Sequence, residues 1–133
     1  AYIKVANWDL VLYVHHGLGN GKLPGNGLNT LYHVAAGLPG ADIYLMGHNT
    51  KLVTTRLSRP CPDWAAKPAQ LIHKDVWLVN CGGFCKSNIV GSRHGLLPRG
   101  DYAEQGMMTP SPLAAPVITI GRVGSDDRIR VSI

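Results

Sequence analysis

The chain has 133 residues, of which 45% are hydrophobic and 16% charged, and this balance excludes a disordered chain and predicts one domain over residues 1–133. No apolar run approaches the roughly 20 residues of a membrane span, and no secretory signal pattern opens the sequence, so we expect no membrane association. The net charge of +5 is spread along the chain, which predicts attraction to phosphate groups and leaves nucleic-acid binding undecided.

The first elements are two strands, predicted over residues 2–5 and 10–15. Residues 10–14 are apolar with β-branched and aromatic members, which is typical of a strand covered on both faces. The second strand runs into His15, which we expect to pack or to form a hydrogen bond, and then into His16 and Gly17. The histidines therefore stand at the carboxyl end of a buried strand.

A loop rich in Gly, Asn and Pro follows over residues 19–27, without the Gly-Lys-Ser/Thr ending of a P-loop. Helical spacing of apolar residues then predicts a helix, which Gly37 and Pro39 end. The apolar positions that define this helix are 28, 31, 32, 35 and 38.

The helix returns the chain to an apolar strand that starts after Asp42 and ends in Gly47 and His48. Strand, helix and strand form a βαβ unit with parallel strands, and such strands finish at the same edge of the sheet. We therefore expect His16 and His48 to lie side by side, although a histidine at a strand end also has a purely structural interpretation. Gly47 is expected to allow either a sharp turn of the backbone or a close approach to another group.

Residues 51–57 are predicted to form another strand, followed by a loop over residues 58–70 that contains three prolines. Two short strands over 70–74 and 76–80 then suggest a hairpin with its turn at Lys74 and Asp75.

Residues 86–112 show no regular pattern, and residues 117–120 and 128–133 alternate between apolar and polar side chains. This alternation predicts a C-terminal hairpin that is solvated on one face. The three cysteines, Cys61, Cys81 and Cys85, do not have zinc-finger spacing, so we expect reduced thiols and a cytoplasmic protein. Cys81 and Cys85 flank a glycine turn and are expected to pack in the core. The predicted fold is α/β, a mixed β-sheet with one main crossover helix and a C-terminal hairpin.

Three motifs together resemble the C-terminal half of the calcineurin-like metallophosphoesterases. They are Tyr13-Val-His-His-Gly17, Asp42-Ile-Tyr-Leu-Met-Gly-His48 and Trp77-Leu-Val-Asn-Cys-Gly-Gly-Phe84. The segment over residues 102–112 is similar to the bacterial and phage-borne members, and the resemblance spans residues 10–120. It implies part of a layered α/β sandwich whose strand ends hold two metal ions.

The resemblance implies that His16 and His48 are ligands of one ion, which would be manganese, iron or zinc. We expect Asp42 to act on the start of its strand, and the alternative is that it hydrogen-bonds and orients His16. Thr50 stands where the family has the last histidine of its Gly-His-x-His motif, so one ligand of the centre is replaced. The family's three earlier metal-binding clusters should precede residue 10, and the nine residues there contain none of them.

These departures predict a partial or degenerate metallophosphoesterase that does not hydrolyse phosphoesters alone, with weak metal binding or none. One alternative is a metal-dependent phosphoesterase completed by another subunit or by an upstream segment. Another is a non-catalytic binding or structural module. Half a sandwich would leave one sheet face uncovered, which predicts a homo-oligomer or a partner chain, and a phosphate-containing ligand remains possible for each alternative.

Overall fold

The computed structural model describes residues 1–17, 23–49, 51–83, 114–123 and 126–132. It confirms the α/β fold, with a mixed five-stranded sheet, one helix packed on that sheet and a C-terminal two-stranded hairpin. The elements in chain order are β1 (Tyr2–Lys4), β2 (Val11–His15), α1 (Pro24–Gly37), β3 (Ile43–Met46), β4 (Leu52–Asp63), β5 (Gln70–Cys81), β6 (Val117–Val123) and β7 (Asp126–Ser132). In the described ranges, no helix is long and apolar enough to cross a membrane.

The five-stranded sheet has the order β1-β2-β3-β5-β4. Its three central strands are parallel, because β3 pairs in parallel with β2 and with β5. The outer strands β1 and β4 are antiparallel to their neighbours. The predicted βαβ unit is thereby confirmed, and the carboxyl ends of β2, β3 and β5 all lie at one edge, here called the carboxyl edge.

The helix begins inside the segment predicted to be a loop, with a proline in its first turn, where the missing N–H costs no helical hydrogen bond. Leu31 and Ala35 are completely buried and pack on the sheet. Their partners include Tyr44 and Leu78 of two neighbouring parallel strands. Burial of this apolar stripe fixes the helix over β3 and β5.

The opposite face of the sheet packs against the C-terminal hairpin. Val131 of β7 forms a buried cluster with Ile43 and Val79, and Ile118 and Ile129 pack against that cluster. The sheet face that was expected to be uncovered is therefore covered at this point by the chain's own hairpin. Association with a second copy or a partner chain stays a prediction, but an uncovered sheet face at this point no longer supports it.

The predicted loop over residues 58–70 and the predicted turn at Lys74 and Asp75 are wrong. Strands β4 and β5 form one long hairpin, paired continuously from Leu52 opposite Cys81 to Asp63 opposite Gln70. Pro60 and Pro62 are accommodated because β4 is an edge strand, where a residue without an N–H need not break the pairing of the sheet.

Asp42 joins three strands at the edge opposite to the carboxyl edge. Its carboxylate accepts a hydrogen bond of 2.7 Å from the Val11 N–H and forms an ion pair of 2.6 Å with Lys74 Nζ. Its backbone N–H donates to the Val11 carbonyl, and its carbonyl accepts from the Trp77 N–H, both at 2.8 Å. The hydrogen bond to Asp42 raises the pKa of Lys74 above its ordinary value. The buried carboxylate of Asp42 thus aligns β2, β3 and β5.

We expect Asp42→Ala to lower the free energy of unfolding by about 2 kcal/mol, because the Val11 N–H loses its acceptor and Lys74 its partner. Asp42→Asn keeps one acceptor oxygen, so its loss should be about half as large. Urea denaturation monitored by tryptophan fluorescence measures both losses. Asp75→Ala is the control, because Asp75 forms an exposed ion pair with Arg56 and should cost less than about 0.5 kcal/mol. Equal losses for all three variants would contradict the role of Asp42.

Candidate functional site

The histidine pair lies at the carboxyl edge, as the βαβ unit predicted. His16 directly follows β2, and His48 comes two residues after the end of β3. Their ring centroids are 5.0 Å apart, with 56° between the ring planes, and both side chains are exposed to solvent. Two imidazoles from separate parts of the sequence thus form one accessible pair.

The close approach of the two strand ends depends on Gly17. Its φ of +106° is unfavourable for other residues, and a Cβ placed there would lie only 2.5 Å from the Gly47 carbonyl oxygen. The same Cβ would lie 2.9 Å from Cβ of His48. The Gly47 N–H donates to the carbonyl of His15 at 3.2 Å and continues the strand pairing into the site. Any larger residue at position 17 would push the two histidine-bearing segments apart.

The sharp turn is made by His48 and not by Gly47. Gly47 instead allows the close approach that was also expected, because a Cβ there would lie 3.3 Å from the His16 carbonyl oxygen. His48 has a φ of +62°, and the Asn49 N–H donates to the Gly47 carbonyl at 2.7 Å. This hydrogen bond spans three residues, which defines a γ-turn, and the positive-φ form of that turn is rare and strained. Backbone strain on a residue other than glycine concentrates at functional sites. The strain at His48 therefore favours a functional interpretation over a structural one.

The separation of the two rings fits coordination of a single metal ion. A metal–nitrogen bond of about 2.1 Å puts an imidazole centroid about 3.2 Å from the ion, so two rings bound at tetrahedral or octahedral angles have centroids roughly 4.5–5.3 Å apart. The observed 5.0 Å falls within this range. The centroid separation is therefore compatible with one ion between His16 and His48.

The described residues supply only these two ligands. They contain no group of three or more His, Cys, Asp or Glu side chains that could hold a metal ion. Thr50, the residue that departs from the family motif, lies outside the described residues. Zinc in proteins has at least three protein ligands, so an ion held by this pair needs further ligands for tight binding.

Asp42 is not near the histidine pair, because it precedes β3 whereas His48 follows it. Its carboxylate contacts Val11 and Lys74, so the suggestion that it orients His16 is wrong. The reason is geometric: a residue before a parallel strand and a residue after it lie at opposite edges of the sheet. The contacts of Asp42 at the start of β3 agree with the other expectation, that it acts on the start of its strand.

His15 packs and forms a hydrogen bond, as expected. Its Nδ1 accepts the Gly17 N–H at 2.9 Å, and its ring stacks on Tyr13 with the centroids 6.4 Å apart. This hydrogen bond helps to hold Gly17 in its unusual conformation. Cys81 is a free, half-buried thiol, and burial raises its pKa, which disfavours the reactive thiolate.

Sequence reasoning missed two asparagines at the carboxyl edge, Asn49 and Asn80. Asn80 lies next to the last residue of β5 and is completely buried, yet neither its amide nitrogen nor its amide oxygen has a hydrogen-bond partner in the part of the chain that the structure describes. A buried polar group without a partner costs about 1–3 kcal/mol. An asparagine directly after the apolar residues 76–79 was the available signal, because a polar side chain there falls at the edge that carries His16 and His48.

We expect the free energy of unfolding of His48→Gly to exceed that of His48→Ala by about 1 kcal/mol, because glycine adopts the positive φ without strain. Denaturation in the presence of a chelator measures this difference without metal binding.

His33 provides the matched control for this comparison, because it lies in the middle of α1 and its side chain is exposed to solvent. There the order should reverse, with glycine less stable than alanine by about 1 kcal/mol. If glycine were less stable than alanine at position 48 as well as at position 33, the backbone at His48 would not be strained.

Comparison of this chain with protein-family models, with curated proteins and with solved structures finds no match.

Proposed function

We propose that this chain is a partial metallophosphoesterase-like protein in which His16 and His48 bind one divalent metal ion. The observation that carries the proposal is the exposed imidazole pair with its ring centroids 5.0 Å apart, held by a strained turn at the carboxyl edge. The order of strand, helix and strand around the pair agrees with the three sequence motifs that resemble the family. The function class rests on that resemblance, and the site itself rests on the geometry.

Neutral imidazole nitrogen suits manganese, iron or zinc, which are the ions we propose for the pair. Such an ion, when bound, polarises a phosphoryl oxygen and lowers the pKa of a coordinated water. His16 and His48 would hold it at the solvent-exposed edge of the sheet, where a phosphoester can approach. Gly17 keeps the two ligands within reach of one ion, and His15 holds Gly17 in place.

We propose that the chain alone does not hydrolyse phosphoesters, because the described residues provide two ligands and no carboxylate beside them. A two-histidine site lacks the second ion and the bridging ligand of two-metal hydrolysis. The alternative is a phosphoesterase completed by ligands from another subunit or segment. The exposure of both rings favours this alternative, since additional ligands can reach an ion from the solvent side.

We expect His16→Ala and His48→Ala each to weaken binding of Co²⁺ or Zn²⁺ by at least about tenfold, because each removes one of the two ligands. Titration of the metal-free protein, followed by calorimetry or by Co²⁺ absorbance, measures the affinity. His33→Ala is the matched control, because this histidine is exposed on α1 and should leave the affinity unchanged. Equal affinity in all four proteins would overturn the metal site.

We expect no hydrolysis of an aryl phosphodiester by the isolated chain with added Mn²⁺. The assay compares the chain with His16→Ala and His48→Ala under identical metal concentrations, so that contaminating activity is recognised by its persistence in both variants. Hydrolysis that both substitutions abolish would establish the alternative of a completed, active site.

A further inference from the structure

Asn80 and the first turn of α1 form a second polar feature at the carboxyl edge. Asn80 pairs with Met46 in the sheet, which places it one strand away from the segment that carries His48. Its side chain is completely buried, and both amide atoms are without a hydrogen-bond partner among the described residues. A ligand that accepts a hydrogen bond from Nδ2 and donates one to Oδ1 would satisfy this amide.

The amide of Asn80 is aimed at the amino end of α1. A Cβ placed on Gly27, in the first helical turn, would lie 2.5 Å from Asn80 Nδ2. The same Cβ would lie 3.0 Å from Asn49 Nδ2, so two amide nitrogens converge on one point of the helix. Asn49 Oδ1 accepts the Lys51 N–H at 3.0 Å, which directs the amide nitrogen of Asn49 towards the helix. The glycine is what lets both amides reach this point.

The amino end of α1 carries the positive end of a 14-residue helix. None of the described side chains caps it, and no acidic residue lies in its first turn to neutralise it. A Cβ on Gly25 would meet no described atom within 4 Å, and Gly25 itself is exposed, so the backbone of this turn is open to an approaching group. Pro24 has no N–H, and the Asn26 N–H donates to the Leu23 carbonyl at 3.1 Å, so the Gly25 N–H is the donor that this turn offers to an anion. Phosphate groups in particular bind at helix amino ends.

We propose that Asn80, Asn49 and the first turn of α1 form a phosphate-binding site, here called the amide site. Asn80 Nδ2 and Asn49 Nδ2 donate to phosphate oxygens, and the helix end stabilises the negative charge. Asn80 Oδ1 accepts a hydrogen bond from a P–OH group, which selects a protonated phosphate over sulfate. The net charge of +5 supports attraction of such an anion. This site names the substrate class of the same sheet edge, so its biological role rests on the proposed function.

The experiment is a titration of the whole chain with inorganic phosphate in the presence of a chelator, followed by calorimetry and by amide chemical shifts. We expect saturable binding that Asn80→Leu weakens at least tenfold. Leucine has a similar volume and no polar atoms, so the variant should also have a higher melting temperature than the unmodified chain. Sulfate should bind more weakly than phosphate.

A second variant keeps the proposal falsifiable if Asn80→Leu does not fold. Asn49→Asp retains the acceptor for the Lys51 N–H and replaces the donor that faces the helix with a carboxylate oxygen. Phosphate binding should fall at least tenfold through charge repulsion.

His16→Ala separates this proposal from the metal site, because it should lose metal affinity while phosphate affinity in chelator stays unchanged. Absence of saturable phosphate binding, or unchanged affinity in Asn80→Leu or Asn49→Asp, would overturn the amide site and leave the metal site standing. Loss of metal binding alone would not affect the amide site.

Discussion

The parallel pairing of β2 with β3 is the constraint on which the candidate site depends. The helix between these strands forces both to run in the same direction, and both therefore deliver the residues that follow them to one edge. At that edge the segments after β2 and β3 lie so close together that a side chain at position 17 would collide with the Gly47 carbonyl. The histidine pair is a direct consequence of these two facts, since the strands fix its direction and the glycine fixes its spacing.

The stability of this arrangement is supplied at the other end of the same strands. Asp42 binds the backbone of β2 and the side chain of Lys74 on β5, so that three parallel strands are aligned by one buried carboxylate. Two polar residues at the carboxyl edge are instead in energetically unfavourable states. The backbone of His48 is strained, and the Asn80 amide has no hydrogen-bond partner among the described residues. Stabilising polar contacts at one edge and unfavourable ones at the other are typical of a scaffold that carries a ligand site.

Much of the fold and part of the site could be predicted from sequence. Apolar periodicity and the handedness rule for βαβ units were sufficient to predict that His16 and His48 lie side by side. The turn at His48 could not be predicted, because the adjacent glycine is the usual carrier of a positive φ and only the packed strand ends determine which residue adopts it. The lack of hydrogen-bond partners for Asn80 among the described residues could not be predicted from the sequence either, since it depends on where the helix lies. Long pairing of β4 with β5 was missed because prolines usually mark loops.

The prolines of β4 also determine how this sheet ends. An edge strand offers a row of backbone donors to any other extended chain, and this is the usual route to edge-to-edge aggregation. Pro60 and Pro62 remove two of these donors from the outer half of β4. The opposite edge is the strand β1, which is only three residues long. Natural proteins use both devices against unwanted strand addition, so this sheet is protected from growing into larger assemblies through either of its edges.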